Sequence, residues 1–104
     1  MSFRRYEILL PIRYNDGSPV EEEKFARTRR ELVAMFGALT KQPDTFQGWW
    51  MHGGETYEDR NLRFIVDVEA TPENRAFFAG LKETLKTRFR QIDIWMISYE
   101  IDIH

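Results

Sequence analysis

Residues 4–14 (RRYEILLPIRY) alternate: Tyr6, Ile8, Leu10, Ile12 and Tyr14 share one face, and Arg5, Glu7, Leu9, Pro11 and Arg13 the other. A period of two predicts a half-buried strand. Pro11 has no N–H for a ladder, so a bulge or a position without a partner strand is expected there. Asn15-Asp16-Gly17 has turn chemistry. The period then lengthens: Phe25, Leu32, Phe36 and Leu39 recur near helical spacing, with Thr28 and Met35 in the same stripe. Ser18, Pro19 and Glu21 read as N-cap, first helical residue and capping-box partner. The three acids Glu21, Glu22 and Glu23 sit where a helix dipole favours them. A first helix is expected from about Pro19 to Ala38.

Residues 40–44 (TKQPD) break this pattern. Thr45–His52 (TFQGWWMH) is aromatic and β-prone and reads as a second strand, with a loop from Gly53-Gly54 through Asp59. Arg60–Glu69 reads as a third strand, with Leu62, Phe64, Val66 and Val68 inward and Arg63, Ile65, Asp67 and Glu69 outward. Thr71-Pro72-Glu73 again marks a helix start. Phe77, Leu81, Leu85 and Phe89 follow at intervals of four, broadened by Phe78, and Lys86, Arg88 and Arg90 complement the far end of the dipole. Ile92–Ile103 (IDIWMISYEIDI) reads as a fourth strand. Its row Trp95, Ile97, Tyr99, Ile101 and Ile103 is assigned inward. That leaves Ile92, Ile94 and Met96 on the opposite face until Ser98, Glu100 and Asp102 turn it polar.

The order β-α-β-β-α-β resembles the ferredoxin-like split βαβ arrangement. The implied fold is α+β: a four-stranded antiparallel sheet in the order 4-1-3-2, with two helices on one face, and residues 1–104 forming one domain. Such a fold hosts many unrelated functions, so function has to be argued from particular residues.

Composition narrows the choice. Fifteen Lys and Arg against 17 Asp and Glu give a net charge of −2, which argues against nucleic-acid binding driven by charge. With no cysteine in the chain, disulfides, thiolate nucleophiles and cysteine zinc sites are excluded together. The apolar run Ile8–Ile12 is too short for a signal-peptide core or a membrane span, so a cytoplasmic protein with no membrane partner is expected. RNA-recognition modules share the topology but need aromatic rings on the outward faces of the first and third strands. Here those faces carry Glu7, Leu9 and Pro11, and Arg63, Ile65 and Asp67. The paired cysteines of metal chaperones are missing. The loop Asn15-Asp16-Gly17-Ser18 has an acid where an acylphosphatase-like anion loop needs a donor. Asp16 lies near the place of the catalytic aspartate in small metal-dependent nucleases of the CRISPR-adaptation type, but an aspartate beside glycine is also ordinary turn chemistry.

Three features carry functional interest. The segment His52–Arg60 (HGGETYEDR) joins His52 and Tyr57 to several acids, either as proton-transfer or ligand chemistry or as a solvated hairpin loop. His52 and His104 are too far apart in sequence for a metal-binding pair, so no metal, cofactor or catalytic set is assigned. Adjacent strand residues point to opposite faces, so one of Trp49 and Trp50 has to lie outward. Finally, Leu9, Ile65, Ile94, Met96 and one tryptophan are expected to form an apolar centre on the open sheet face, rimmed by Glu7, Arg13, Arg63 and Asp67. Such a patch marks an interface or a ligand site. The expectation is a homodimeric domain that binds a partner or small ligand through this face. The alternative is a small enzyme resembling dimeric α/β barrels, with a cavity between paired sheets.

Overall fold

The computed structural model describes the backbone of residues 1–104 and all side chains except those of 43–47 and 57–59. Its elements run β1 (Phe3–Pro11), α1 (Glu22–Phe36), β2 (Thr40–His52), β3 (Glu55–Glu69), α2 (Pro72–Arg88) and β4 (Met96–Ile101). The strands pair antiparallel in the order β2-β3-β1-β4. This is the ferredoxin-like α+β arrangement, with both helices on one face.

The core lies between that face and the helices. Tyr6, Ile8 and Leu10 of β1 and Leu62, Phe64, Val66 and Val68 of β3 meet Phe25 and Leu32 of α1 and Phe78, Leu81 and Leu85 of α2. The Tyr6 and Phe78 rings stack with centroids 3.7 Å apart. Arg88 fastens the helices together, donating to Thr28 Oγ1 at 2.8 Å and to Glu31 Oε1 at 2.7 Å.

The helix starts divide. Thr71 caps α2 as expected, its side chain accepting from the Asn74 N–H at 3.1 Å, with Pro72 in the first turn. Ser18 does not cap α1, which begins four residues later, with Glu21 at the cap position and no side-chain cap bond. The reason is competition for the backbone. Pro19 bridges to Arg13, and the Val20 N–H is donated to the Ile12 carbonyl at 3.0 Å, so residues 18–20 run extended beside the end of β1. Ser18 instead donates its hydroxyl and its N–H to Asp16 Oδ1 in an Asx turn. At its other end α1 stops at Gly37, whose φ of 84° suits glycine and whose N–H reaches the Val33 carbonyl at 2.8 Å.

The middle strands are longer than the sequence suggests. Residues 40–42 already belong to β2, and the break in pattern corresponds to a register shift between Gln42 and Phe46. Gly53 and Gly54 both have positive φ, 60° and 81°, and form a two-residue hairpin turn. The expected loop is therefore mostly strand, with His52 opposite Glu55 and Trp50 opposite Tyr57. β1 pairs with β3 only from Asn61 onward, and the last contact is the Ile12 N–H to the Arg60 carbonyl. The hairpin of residues 46–60 thus projects roughly 20 Å past the body of the sheet at about 3.4 Å per residue. The molecule is correspondingly elongated, 44 × 28 × 24 Å.

Pro11 ends β1 without harm. The Leu9 N–H reaches the Trp95 carbonyl at 3.0 Å, and the nitrogen two residues on faces the same side, past the end of β4. The faces of β4 are the reverse of the sequence assignment. Ile94 is only 2% exposed, within the core, and Met96 packs against that core. Trp95, Ile97 and Tyr99 lie on the open side. The pairing register decides this: Met96 stands opposite core residue Ile8, whereas Ile97 and Tyr99 stand opposite Glu7 and Arg5. No described helix is long and apolar enough to cross a membrane.

Candidate functional site

The open sheet face has a polar centre inside an apolar field. Glu7 lies at its middle, only 7% exposed although no helix covers it. The register explains how. Leu9 pairs with Arg63 and Glu7 with Ile65, which puts the Arg63 side chain on the diagonal from Glu7. On the other side Arg5 pairs with Tyr99, so Tyr99 is diagonal to Glu7 as well. Arg63 Nη1 donates to Glu7 Oε1 at 2.5 Å, and the Tyr99 hydroxyl donates to Glu7 Oε2. The Arg63 guanidinium also donates to Gln42 Oε1, from Nε at 2.7 Å and from Nη2. Next along the ladder, Arg5 holds Asp67 with two bonds of 2.7 and 3.0 Å.

Two arginines thus face two carboxylates, and the face is locally neutral. The hydrogen bond to Glu7, burial and the neighbouring negative charge all push the Tyr99 hydroxyl above the usual tyrosine range. Asp67 raises the Arg5 guanidinium in the same way. Around this centre lie Leu9, Ile65 and Ile101, half-buried, with Ile97 39% and Tyr99 40% exposed.

Beside the open face, a cleft of about 410 Å³ opens at the base of the projecting hairpin. Leu9, Pro11 and Ile94 contribute apolar surface, and Trp49, Trp50 and Trp95 border it together with Asn61, Gln91 and Asp93. Burial pushes the Asp93 carboxyl up, but hydrogen bonds from Lys82 and the Ile94 N–H, with nearby positive charge, outweigh it and leave the group below the ordinary carboxylate value.

Of the residues singled out in the sequence, Leu9, Arg63 and Ile65 meet on the open face. Trp49 and Trp50 lie at the cleft, Trp49 exposed and Trp50 half-buried. His52 is exposed near the hairpin turn, its ring 6.2 Å from that of Trp50. Arg13 lies beyond β1, donating to the Gly17 carbonyl at 3.0 Å, and takes no part in the Glu7 network. The Tyr57 side chain falls outside the described residues. Ile94 and Met96 are not open-face residues: Ile94 reaches the cleft from its inner side, and Met96 serves the core. Tyr99, Trp95 and Gln42 are the residues that sequence reasoning missed. Only the strand register brings them to Glu7 and to the cleft. Among the described residues no group of three His, Asp or Glu side chains could hold a metal ion.

The fold is a ferredoxin-like α+β arrangement similar to that of CutA1 and GlnK structures. The divalent cation tolerance protein CutA1 from Thermus thermophilus superposes with a TM-score of 0.65 at 18% identity, covering 98% of this chain and 86% of that one. CutA1 from Oryza sativa gives 0.66 at 11% identity, covering 100% and 84%. A phage SAM lyase in complex with S-methyl-5'-thioadenosine gives 0.63 at 13% identity, covering 98% and 90%. No protein-family model and no curated protein matches the chain. Identities this low establish shared architecture.

Proposed function

We propose that this chain is a self-associating, ligand-binding domain of the cytoplasm, whose copies pack through the open sheet face. The observation that carries the proposal is the make-up of that face: Ile97, Tyr99, Leu9 and Ile65 surround a charge network already neutralised within one chain. Each Å² of apolar surface removed from water is worth roughly 25 cal/mol, and the monomer has no second layer to cover this side. The projecting hairpin supports the same reading. A two-stranded ribbon is marginal alone in water, and this one exposes Met51 near its tip. A neighbouring copy would cover both regions. A two-fold dimer is the simplest closed assembly, because one self-complementary patch serves both copies.

The reading is of binding rather than catalysis. Glu7 is the buried acid of the face, and both its oxygens are committed to Arg63 and Tyr99, which suits a structural pair better than a proton carrier. The fold neighbours support small-ligand binding in general: one is named for divalent cation tolerance, and another holds a thioadenosine. With a net charge of −2, we assign no nucleic-acid partner.

The test is Ile97→Asp. This side chain is exposed in the single chain, so the substitution leaves the core intact. Analytical ultracentrifugation should find the wild type associated at micromolar concentration and the variant monomeric, with an unchanged circular dichroism spectrum. A variant that stays associated would contradict packing through this face.

A further inference from the structure

We infer that the cleft at the base of the hairpin is a site for a planar heteroaromatic molecule without negative charge, held against indole faces. This deepens the ligand-binding reading and rests on it only in treating the chain as a small-ligand binder. The chain contains three tryptophans, and all three border this one cleft although they come from two distant segments. Trp49 and Trp95 are each 64% exposed, so most of their ring surface is in water until something covers it. Large, rigid indoles bring contact area at little entropic cost and favour flat partners, which stack. The cleft volume of about 410 Å³ falls within the range of small-molecule sites.

Charge selects within the flat ligands. None of the described lining residues is Lys, Arg or His, and the segments 43–47 and 57–59 contain no basic residue either. An anionic ligand would therefore find no counter-charge. Among the described lining residues the one charged group, Asp93, is occupied by Lys82 at 3.2 Å and by the Ile94 N–H at 2.9 Å. The polar group offered to a ligand is the Gln91 carboxamide. Gln91 spends its Nε2 on the Phe89 carbonyl, which leaves its Oε1 as an acceptor. Amides of this kind match the edge of a ring that carries its own N–H or carbonyl.

The experiment follows the three indole N–H signals by NMR while the wild-type chain is titrated with quinazolin-4-one, a neutral flat bicycle with a lactam edge. Tetramethylammonium serves as the cationic alternative and cyclohexanecarboxamide as an amide without a flat ring. Saturable shifts with quinazolin-4-one alone are expected, with a dissociation constant of roughly 1 mM or tighter. Trp49→Leu and Trp95→Leu, both at exposed positions, should each weaken binding roughly tenfold. The inference is overturned if no saturable shift appears, if either control binds as tightly, or if both leucine variants bind like the wild type. Because one chain supplies the whole cleft, Ile97→Asp is titrated in parallel. Binding by that variant but not by the assembled wild type would mean that a neighbouring copy fills the cleft, which also overturns it. A monomeric wild type that binds would overturn the association and leave this inference standing.

Discussion

Glu7 is an acid on an uncovered sheet face that is nonetheless buried, because Arg63 and Tyr99 lie over it and each take one oxygen. Removing it should strand two donors. Both retain some access to water, so Glu7→Ala should cost only about 1–2 kcal/mol. Urea melts of Glu7→Ala and the wild type, each run across a dilution series to separate out association, check this, and an unchanged midpoint would contradict the network. Tyr99 gives a second test. Its raised pKa means that the neutral hydroxyl is favoured in the folded chain. The stabilisation is complete below the ordinary tyrosine value of 10.0 and is lost as pH rises through the higher folded value. An ultraviolet titration of the wild type minus that of Tyr99→Phe should therefore show a phenol ionising above 10.0. Ionisation at or below that value would remove the Glu7 bond from the account. Neither pairing is visible in the sequence, where Glu7, Arg63 and Tyr99 are separated by tens of residues and only the strand register joins them.

At the scale of elements, local signals succeeded where nothing else claimed the backbone. Thr71-Pro72-Glu73 and Ser18-Pro19-Val20-Glu21 carry similar start chemistry, yet only the first begins a helix. Residues 18–20 have a better use, as an extended bridge to the end of β1. Thr71→Ala should accordingly destabilise the protein by about 1 kcal/mol, the usual loss of an N-cap. Ser18→Ala should cost clearly less, because its hydroxyl serves an exposed turn. Thermal melts of the two variants side by side provide the check, and equal losses would contradict the assignment of caps. β1 and β3 were legible because each has one plainly apolar face. β4 was not: residues 94–97 are apolar on both sides, so alternation alone gives no direction, and pairing with Ile8 sends Met96 inward. The same ambiguity hid Trp95 from the cleft, while Trp49 and Trp50 stood out by their size alone.

At the scale of the whole molecule, the six-element order and the helix layer follow from the hydrophobic periods, whereas the reach of the hairpin does not. Two glycines in left-handed geometry convert an apparent loop into strand, and a ribbon with exposed Met51 then extends beyond the sheet. That ribbon and the open face are the two surfaces a lone chain leaves uncovered, and their burial between copies is the central claim. Light scattering on the wild-type chain, measured across a dilution series, addresses it most directly. The account predicts a mass at an integer multiple, two or more, of the 12.5 kDa chain at micromolar concentration, falling toward the single-chain value for Ile97→Asp. A wild type that stays at 12.5 kDa at every concentration, fully folded, would contradict it.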